Sequence, residues 1–307
     1  MALTIFGSPR FDEHTTPPGH PERPERAQAM QRVADRWRAQ GGHVREPRPA
    51  TREELARIHT ADYLDLVESV RGRPAQLDPD TYTSPESVEI AELAAGAAID
   101  AARLAREGTP AFAFVRPPGH HAEADKAMGF CLYNNIAVAA ADLLASGTGK
   151  VAIVDIDVHH GNGTQWAFYS DPRVLFISSH QFPFYPGTGA ADETGSGAGA
   201  GFTLNIPLQA GAGDDVYDKA YGEIVQPALQ TFAPEVLLIS AGFDTWIHDP
   251  LAGMRVTEDG FRRIFARLKA AATATCGPRI MLVTEGGYDL DGLEAGLQAG
   301  LDAFGAL

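Results

Sequence analysis

The sequence predicts an α/β fold with a mostly parallel central sheet flanked by helices. Three observations carry that expectation. Short apolar runs rich in β-formers recur along the chain, helix-like stretches lie between them, and polar motifs follow each run. The runs are AFAFV (111–115), VAIVDI (151–156), VLFIS (174–178), VLLIS (236–240) and IMLVT (280–284). Each is continuous rather than alternating, which suits strands covered on both faces, as in a parallel sheet. Helix-like stretches occupy 87–106, 134–146, 216–232 and 258–274. Strands alternating with helices give a doubly wound sheet. No linker, repeat or low-complexity segment divides the 307 residues, so one domain over 1–307 is expected.

Composition narrows the function. Hydrophobic residues make up 44% and charged residues 21%, enough to bury a full core. A net charge of -15 repels phosphate, so neither nucleic acid nor an anionic membrane is expected as a general partner. A lysine-bearing or polycationic substrate would be attracted. The two cysteines, Cys131 and Cys276, imply no disulfide framework and no zinc–thiolate site, which fits a reducing cytoplasm. The start, MALTIFGSPRF, lacks the cationic and apolar regions of a signal peptide. The glycine-rich GSGAGAG (195–201) lacks the lysine of a phosphate loop and precedes a strand-like FTLNIP, so it reads as a flexible surface loop.

Chemistry collects after the strands. AFAFV is followed by RPPGHH (His120, His121), VAIVDI by DVHHGNG (Asp157, His159, His160), VLFIS by SHQFPFYPGTG (His180, Tyr185), VLLIS by AGFD (Asp244), and IMLVT by EGGYD (Glu285, Tyr288, Asp289). Ligands of open α/β sheets bind beyond the carboxyl ends of the strands. Asp157 and His159 have i, i+2 spacing, so on extended backbone they share a face and can share an ion. Asp244 from another strand end would complete three ligands with a coordination position open. The N/O donor set admits zinc, iron(II) or cobalt. An activated water needs a base, and a histidine of the His120–His121 pair could serve and later protonate the leaving amine. Asp155 and Asn162 could orient the two rings. Tyr288, after a Gly-Gly turn, could donate to an oxyanion.

RPPGHH, GFC (129–131), DIDVHHGNGTQ, SSHQFPFYPGTG, AGFD…DPLAGM, EGGY and the opening GHPERPERA (19–27) together resemble the histone deacetylase superfamily. The resemblance spans about residues 14 to 290 and is nearest to class II and bacterial members, alongside acetylpolyamine amidohydrolases. It implies an arginase-like α/β fold with one catalytic zinc held by Asp157, His159 and Asp244. It implies His121 as general base and acid, with Asn162 as its partner. His120, partnered by Asp155, would be the neighbouring electrostatic histidine. Tyr288 would polarise the scissile carbonyl. Phe130 and Tyr185 would wall an acyl-lysine channel, with the Gly129 carbonyl accepting the substrate N–H. A structural potassium site is implied at Asp155, the Ser178 hydroxyl and the backbones of Asp157, His159 and Ser179. Arg26 would line an inner cavity, and Asp80 would be a rim acid gripping the substrate backbone.

Two departures bear on the substrate. Trp246-Ile247-His248 replaces smaller or more acidic residues after the zinc aspartate, which is expected to narrow the mouth of the pocket. Leu251 stands where a polyamine-selective relative carries glutamate, which weakens the acetylpolyamine reading. The leading expectation is hydrolysis of an N-acyl amine such as acetyl-lysine. An arginase-like ureohydrolase would need more carboxylates for a second metal. A non-enzymatic acyl-lysine binder would be expected to lack a ligand, a histidine or the tyrosine. The acylated substrate and any homo-oligomer stay open at this stage.

Overall fold

The computed structural model describes residues 2–305. Along the chain lie β1 (Thr4–Gly7), α1 (Glu25–Ala39), β2 (His43–Arg45), α2 (Arg52–Leu55), α3 (Ala61–Ser69), β3 (Ala75–Asp78), β4 (Thr81–Thr83), α4 (Ser87–Arg106), β5 (Ala111–Phe114), α5 (Asn135–Ala145), β6 (Val151–Asp155), α6 (Asn162–Phe168), β7 (Val174–Gln181), β8 (Thr203–Leu208), α7 (Asp214–Ala220), α8 (Gln226–Phe232), β9 (Val236–Ala241), α9 (Glu258–Ala274), β10 (Ile280–Thr284) and α10 (Leu290–Phe304). Eight strands form one sheet in the order β2-β1-β5-β10-β9-β6-β7-β8. Every pairing in it is parallel. Strands β3 and β4 form a separate antiparallel hairpin.

The continuous apolar runs are explained by what covers the sheet. On β6, Ala152 and Val154 face one core while Val151 and Ile153 face another. Strands β5, β9 and β10 alternate the same way, with Phe112, Ile239 and Leu282 on the first side and Ala113, Leu238 and Val283 on the second. Helices α1, α9 and α10 pack on the first side, and α4 and α5 on the second. A strand with helices on both faces needs an apolar residue at every position. The result is the α/β fold expected from the sequence.

One predicted helix is corrected. The stretch 216–232 is not continuous: α7 ends at Ala220, a π-turn covers Tyr221–Val225, and α8 follows with Pro227 in its first turn. Proline has no N–H to give the preceding turn, so the helix widens there. That turn places the Tyr221 hydroxyl 2.8 Å from Ser179 Oγ. The glycine-rich 195–201 stretch holds a short 3-10 turn, with Gly199 buried against the backbone of 169–171.

Candidate active site

Strand β6 ends at Asp155, whose register partners on the flanking strands are Ser178 and Ser240. The chain then delivers Asp157 and His159, and the segment after β9 delivers Asp244. Their ligand atoms all lie within 4.8 Å of one another, and all three residues are buried. His159 Nδ1 is 3.1 Å from Asp157 Oδ1 and 3.2 Å from Asp244 Oδ2. Backbone amides hold the carboxylates: Gly286 N–H donates to Asp157 Oδ2 at 2.8 Å, and Val158 N–H to Asp244 Oδ1 at 2.8 Å. A Cβ on Gly286 would collide with the Asp244 carboxylate, so only glycine lets that loop approach so closely. Burial and the neighbouring Asp157 push the Asp244 carboxyl up to about 7. Two buried carboxylates facing one imidazole suit one divalent cation, whose charge would reverse that cost. Among the described residues no other such group of three His, Cys, Asp or Glu exists.

The histidine pair lies beside this cluster, with ring centroids 4.0 Å apart. His120 Nδ1 is 2.9 Å from Asp155 Oδ2, and His121 Nδ1 is 2.7 Å from Asn162 Oδ1. Burial opposes charge on His120, but Asp155 and Asp157 overcome it and raise its pKa well above the usual imidazole value. Burial, with His120 and His159 nearby, lowers His121 well below it. The two rings are thus pushed in opposite directions, His120 toward the cation and His121 toward the neutral form.

Several residues given no role by sequence reasoning hold these groups. Glu285 Oε2 accepts from Gly119 N–H at 2.7 Å and His120 N–H at 3.1 Å, and its Oε1 accepts from Ser240 Oγ at 3.1 Å. It thus ties the end of β10 to the histidine loop after β5. Asp249 Oδ2 accepts from Tyr288 N–H at 2.7 Å and Asp289 N–H at 3.2 Å, fixing the tyrosine loop. Glu123 Oε1 accepts from Asn162 Nδ2 at 2.7 Å. Phe184 stacks on His159 with centroids 5.5 Å apart. Glu285, Asp249 and Phe184 each sit inside a motif singled out from the sequence, and Glu123 lies two residues past RPPGHH. Their neighbourhood was visible and their partners were not.

His121, His159 and Tyr288 share the wall of one cavity of about 190 Å³. Asp80, Gly129, Phe130, Phe184, Tyr185 and Leu251 complete its lining. The Tyr185 ring stands edge-on to His121 at 5.2 Å, and Phe130 edge-on to Tyr288 at 5.7 Å. Phe130 adopts φ 69°, rare for an aromatic residue, and its N–H donates to Thr81 Oγ1 at 3.1 Å. Asp80 Oδ1 accepts from Gly129 N–H at 3.2 Å. Burial and Asp78 push the Asp80 carboxyl up to about 6. The expectation that Trp246-Ile247-His248 narrows the mouth is corrected. None of the three lines this cavity, and the Trp246 ring instead stacks on Phe261 at 6.1 Å, against the core.

Arg26 is fully buried behind the tyrosine loop. It donates to the Gly287 carbonyl at 2.7 Å, the Glu285 carbonyl and Glu22 Oε1, and lies 5.1 Å from the centre of the Tyr288 ring. At the suggested monovalent-cation site, Asp155 Oδ1 accepts from Asp157 N–H at 3.1 Å and Ser178 Oγ is 2.9 Å from His180 Nδ1. Asp155, Asp157, Ser178 and Ser179 are buried together there.

Comparison with known proteins gives the same direction. The histone deacetylase domain family matches residues 20–304. A "Probable deacetylase" of Archaeoglobus fulgidus is 41% identical over 297 residues, covering 95% of this chain and 83% of the relative. A histone deacetylase-like amidohydrolase of Pseudomonas aeruginosa is 43% identical over 281 residues, covering 88% and 73%. The crystal structure of the HDA15 HD domain superposes with a TM-score of 0.94 at 39% identity, covering 99% of this chain and 88% of that one.

Proposed function

The chain belongs to the histone deacetylase family of deacetylases and amidohydrolases, and from that premise we propose that it hydrolyses N-acyl amines such as acetyl-lysine with zinc as its metal. The observation that carries the proposal is the shared cavity wall. His159 of the Asp157–His159–Asp244 group, the His121 imidazole and Tyr288 meet one space of about 190 Å³.

Asp157, His159 and Asp244 would hold the metal, which, when bound, polarises a carbonyl and makes water a better nucleophile at neutral pH. Iron(II) suits the same donors. The chain's own residues do the rest. His121 takes the proton of the attacking water on Nε2, because Nδ1 is committed to Asn162. His120, kept cationic by Asp155, stabilises the negative charge that develops. Tyr288 donates its hydroxyl to the oxyanion, and His121 returns its proton to the departing amine. Phe130 and Tyr185 flank the acyl-lysine stem, the Gly129 carbonyl accepts the substrate N–H, and Asp80 grips the backbone at the rim. Asp155, Ser178 and the neighbouring backbone would hold a structural potassium ion. Arg26 backs the tyrosine loop.

We take the whole chain as one catalytic domain. No described helix is long and apolar enough to cross a membrane, and both cysteines are free and buried, which suits a reducing cytoplasm. The test is turnover by zinc-loaded protein on acetyl-lysine peptides, longer acyl-lysines and acetylpolyamines, compared as kcat/KM. Acetyl-lysine is expected to lead, because Leu251 offers no anion for a distant ammonium. Tyr288→Phe should slow it about 100- to 1,000-fold. Absence of turnover on all three classes ends the proposal.

A further inference from the structure

We propose that Glu123 is a positioning residue for this reaction, acting through Asn162 to fix which nitrogen of His121 is free to take a proton; the inference rests on the deacetylase reading above. An asparagine amide has two faces, one donating and one accepting, and can meet an imidazole with either. With Oδ1 toward His121, Nδ1 must carry the hydrogen and Nε2 keeps its lone pair for the attacking water. With Nδ2 toward His121, Nδ1 would accept, Nε2 would carry the hydrogen, and the ring could not act as base.

Nothing in the His121–Asn162 contact alone chooses between these. Glu123 does. An ionised carboxylate only accepts, so its Oε1, 2.7 Å from Asn162 Nδ2, turns the NH₂ group outward and Oδ1 inward at 2.7 Å from His121 Nδ1. Two longer contacts from Nδ2, to the His121 carbonyl and Met128 Sδ, both at 3.4 Å, favour the same orientation more weakly. Glu123 is half-buried and lies outside the cavity wall, so it does not touch substrate. Its own backbone is pinned: its N–H donates to the Lys126 carbonyl at 3.0 Å, and His59 Nδ1 sits 3.0 Å from its carbonyl oxygen.

The test is a double-substitution cycle read as kcat, KM and melting temperature. Glu123→Ala should lower kcat about 10-fold with KM unchanged, since outer partners of this kind are worth about 10- to 100-fold. Glu123→Gln keeps an acceptor for Nδ2 and should stay within about threefold of the parent. Asn162→Asp sets two carboxylates at hydrogen-bond distance and should cost about 100-fold in kcat. Adding Glu123→Gln to Asn162→Asp supplies an N–H donor and should restore about 10-fold. Rescue of this sign is the signature, because unconnected losses would multiply instead. A Glu123→Ala enzyme with full kcat, or a double variant worse than Asn162→Asp alone, overturns the inference. The melting temperatures need no substrate: Asn162→Asp should destabilise and Glu123→Gln relieve it. If no acyl amine is turned over, the deacetylase reading falls, while the melting cycle still decides whether Glu123 holds Asn162.

Discussion

The Glu22 cluster and the Asp157–His159–Asp244 cluster are both buried and both charged, and they are wired in opposite senses. Glu22 is held by Arg26 at 2.8 Å and by both prongs of Arg116, with His14 at 3.4 Å. Cations outnumber the anion, and the spare guanidinium hydrogens go to backbone carbonyls of Phe11, His14, Glu285 and Gly287. The second cluster has two carboxylates and one imidazole. The first is satisfied by the chain itself and works as a clamp. The second is held by backbone amides and by His159 but sets two carboxylates side by side, and a divalent cation would relieve their repulsion. Like-charged carboxylates buried together mark a site.

The contrast can be broken at its largest expected effect by removing the metal. Dialysis against a chelator should abolish turnover, and divalent zinc should restore it together with a higher melting temperature, since a ligand that binds only the folded state stabilises it. A chelated protein with full activity would sink the metal assignment. The clamp should fail next. Glu22→Ala strands two buried guanidiniums and should cost about 3–5 kcal/mol of stability in denaturant melts. A pH series sharpens the point. Burial opposes the charge on Glu22, yet Arg116, His14 and Arg26 hold its carboxyl well below the usual range. A carboxyl with a depressed folded pKa stabilises above its unfolded value of about 4.3 and loses that stabilisation as pH falls through the folded one. Stability of the parent should therefore fall more steeply below that pH than that of Glu22→Gln; parallel curves would refute the clamp. The smallest effect is the most telling. Asp244→Asn relieves the like-charged pair, so the metal-free protein should gain about 1–2 kcal/mol while turnover is lost. A metal-free variant less stable than its parent would mean that Asp157 and Asp244 do not strain the fold.

Much of the fold was legible because parallel strands must be apolar at every position. All five predicted runs became strands of one sheet. Helices α4 and α9 took the expected bounds. Helix α10 was not read from the sequence. Its glycines at 292, 296 and 300 weaken the helical signal. The structure explains them: a Cβ at Gly292 would strike Trp246 and one at Gly296 would strike Phe243, so close packing demands what propensity disfavours. The break at Tyr221–Val225 was hidden for the converse reason, since the apolar pattern of 216–232 runs through it.

The sequence by itself determined which residue types follow each strand, and a parallel sheet brings its strand ends to one edge. Asp157 with His159, the pair His120–His121 and Tyr288 were legible for that reason, being local motifs at strand ends. Asp155 and Asn162 were named from the sequence as partners of the two histidines, and tertiary structure decided the further contacts that hold the site. That Glu285 would reach the His120 backbone, Asp249 the Tyr288 backbone and Glu123 the far side of Asn162 depends on contacts across 165, 39 and 39 residues. Hydrogen bonds between distant loops leave no periodicity in a sequence. They follow from how the loops pack, as does the turning of Trp246 into the core and away from the mouth that its position in the chain suggested.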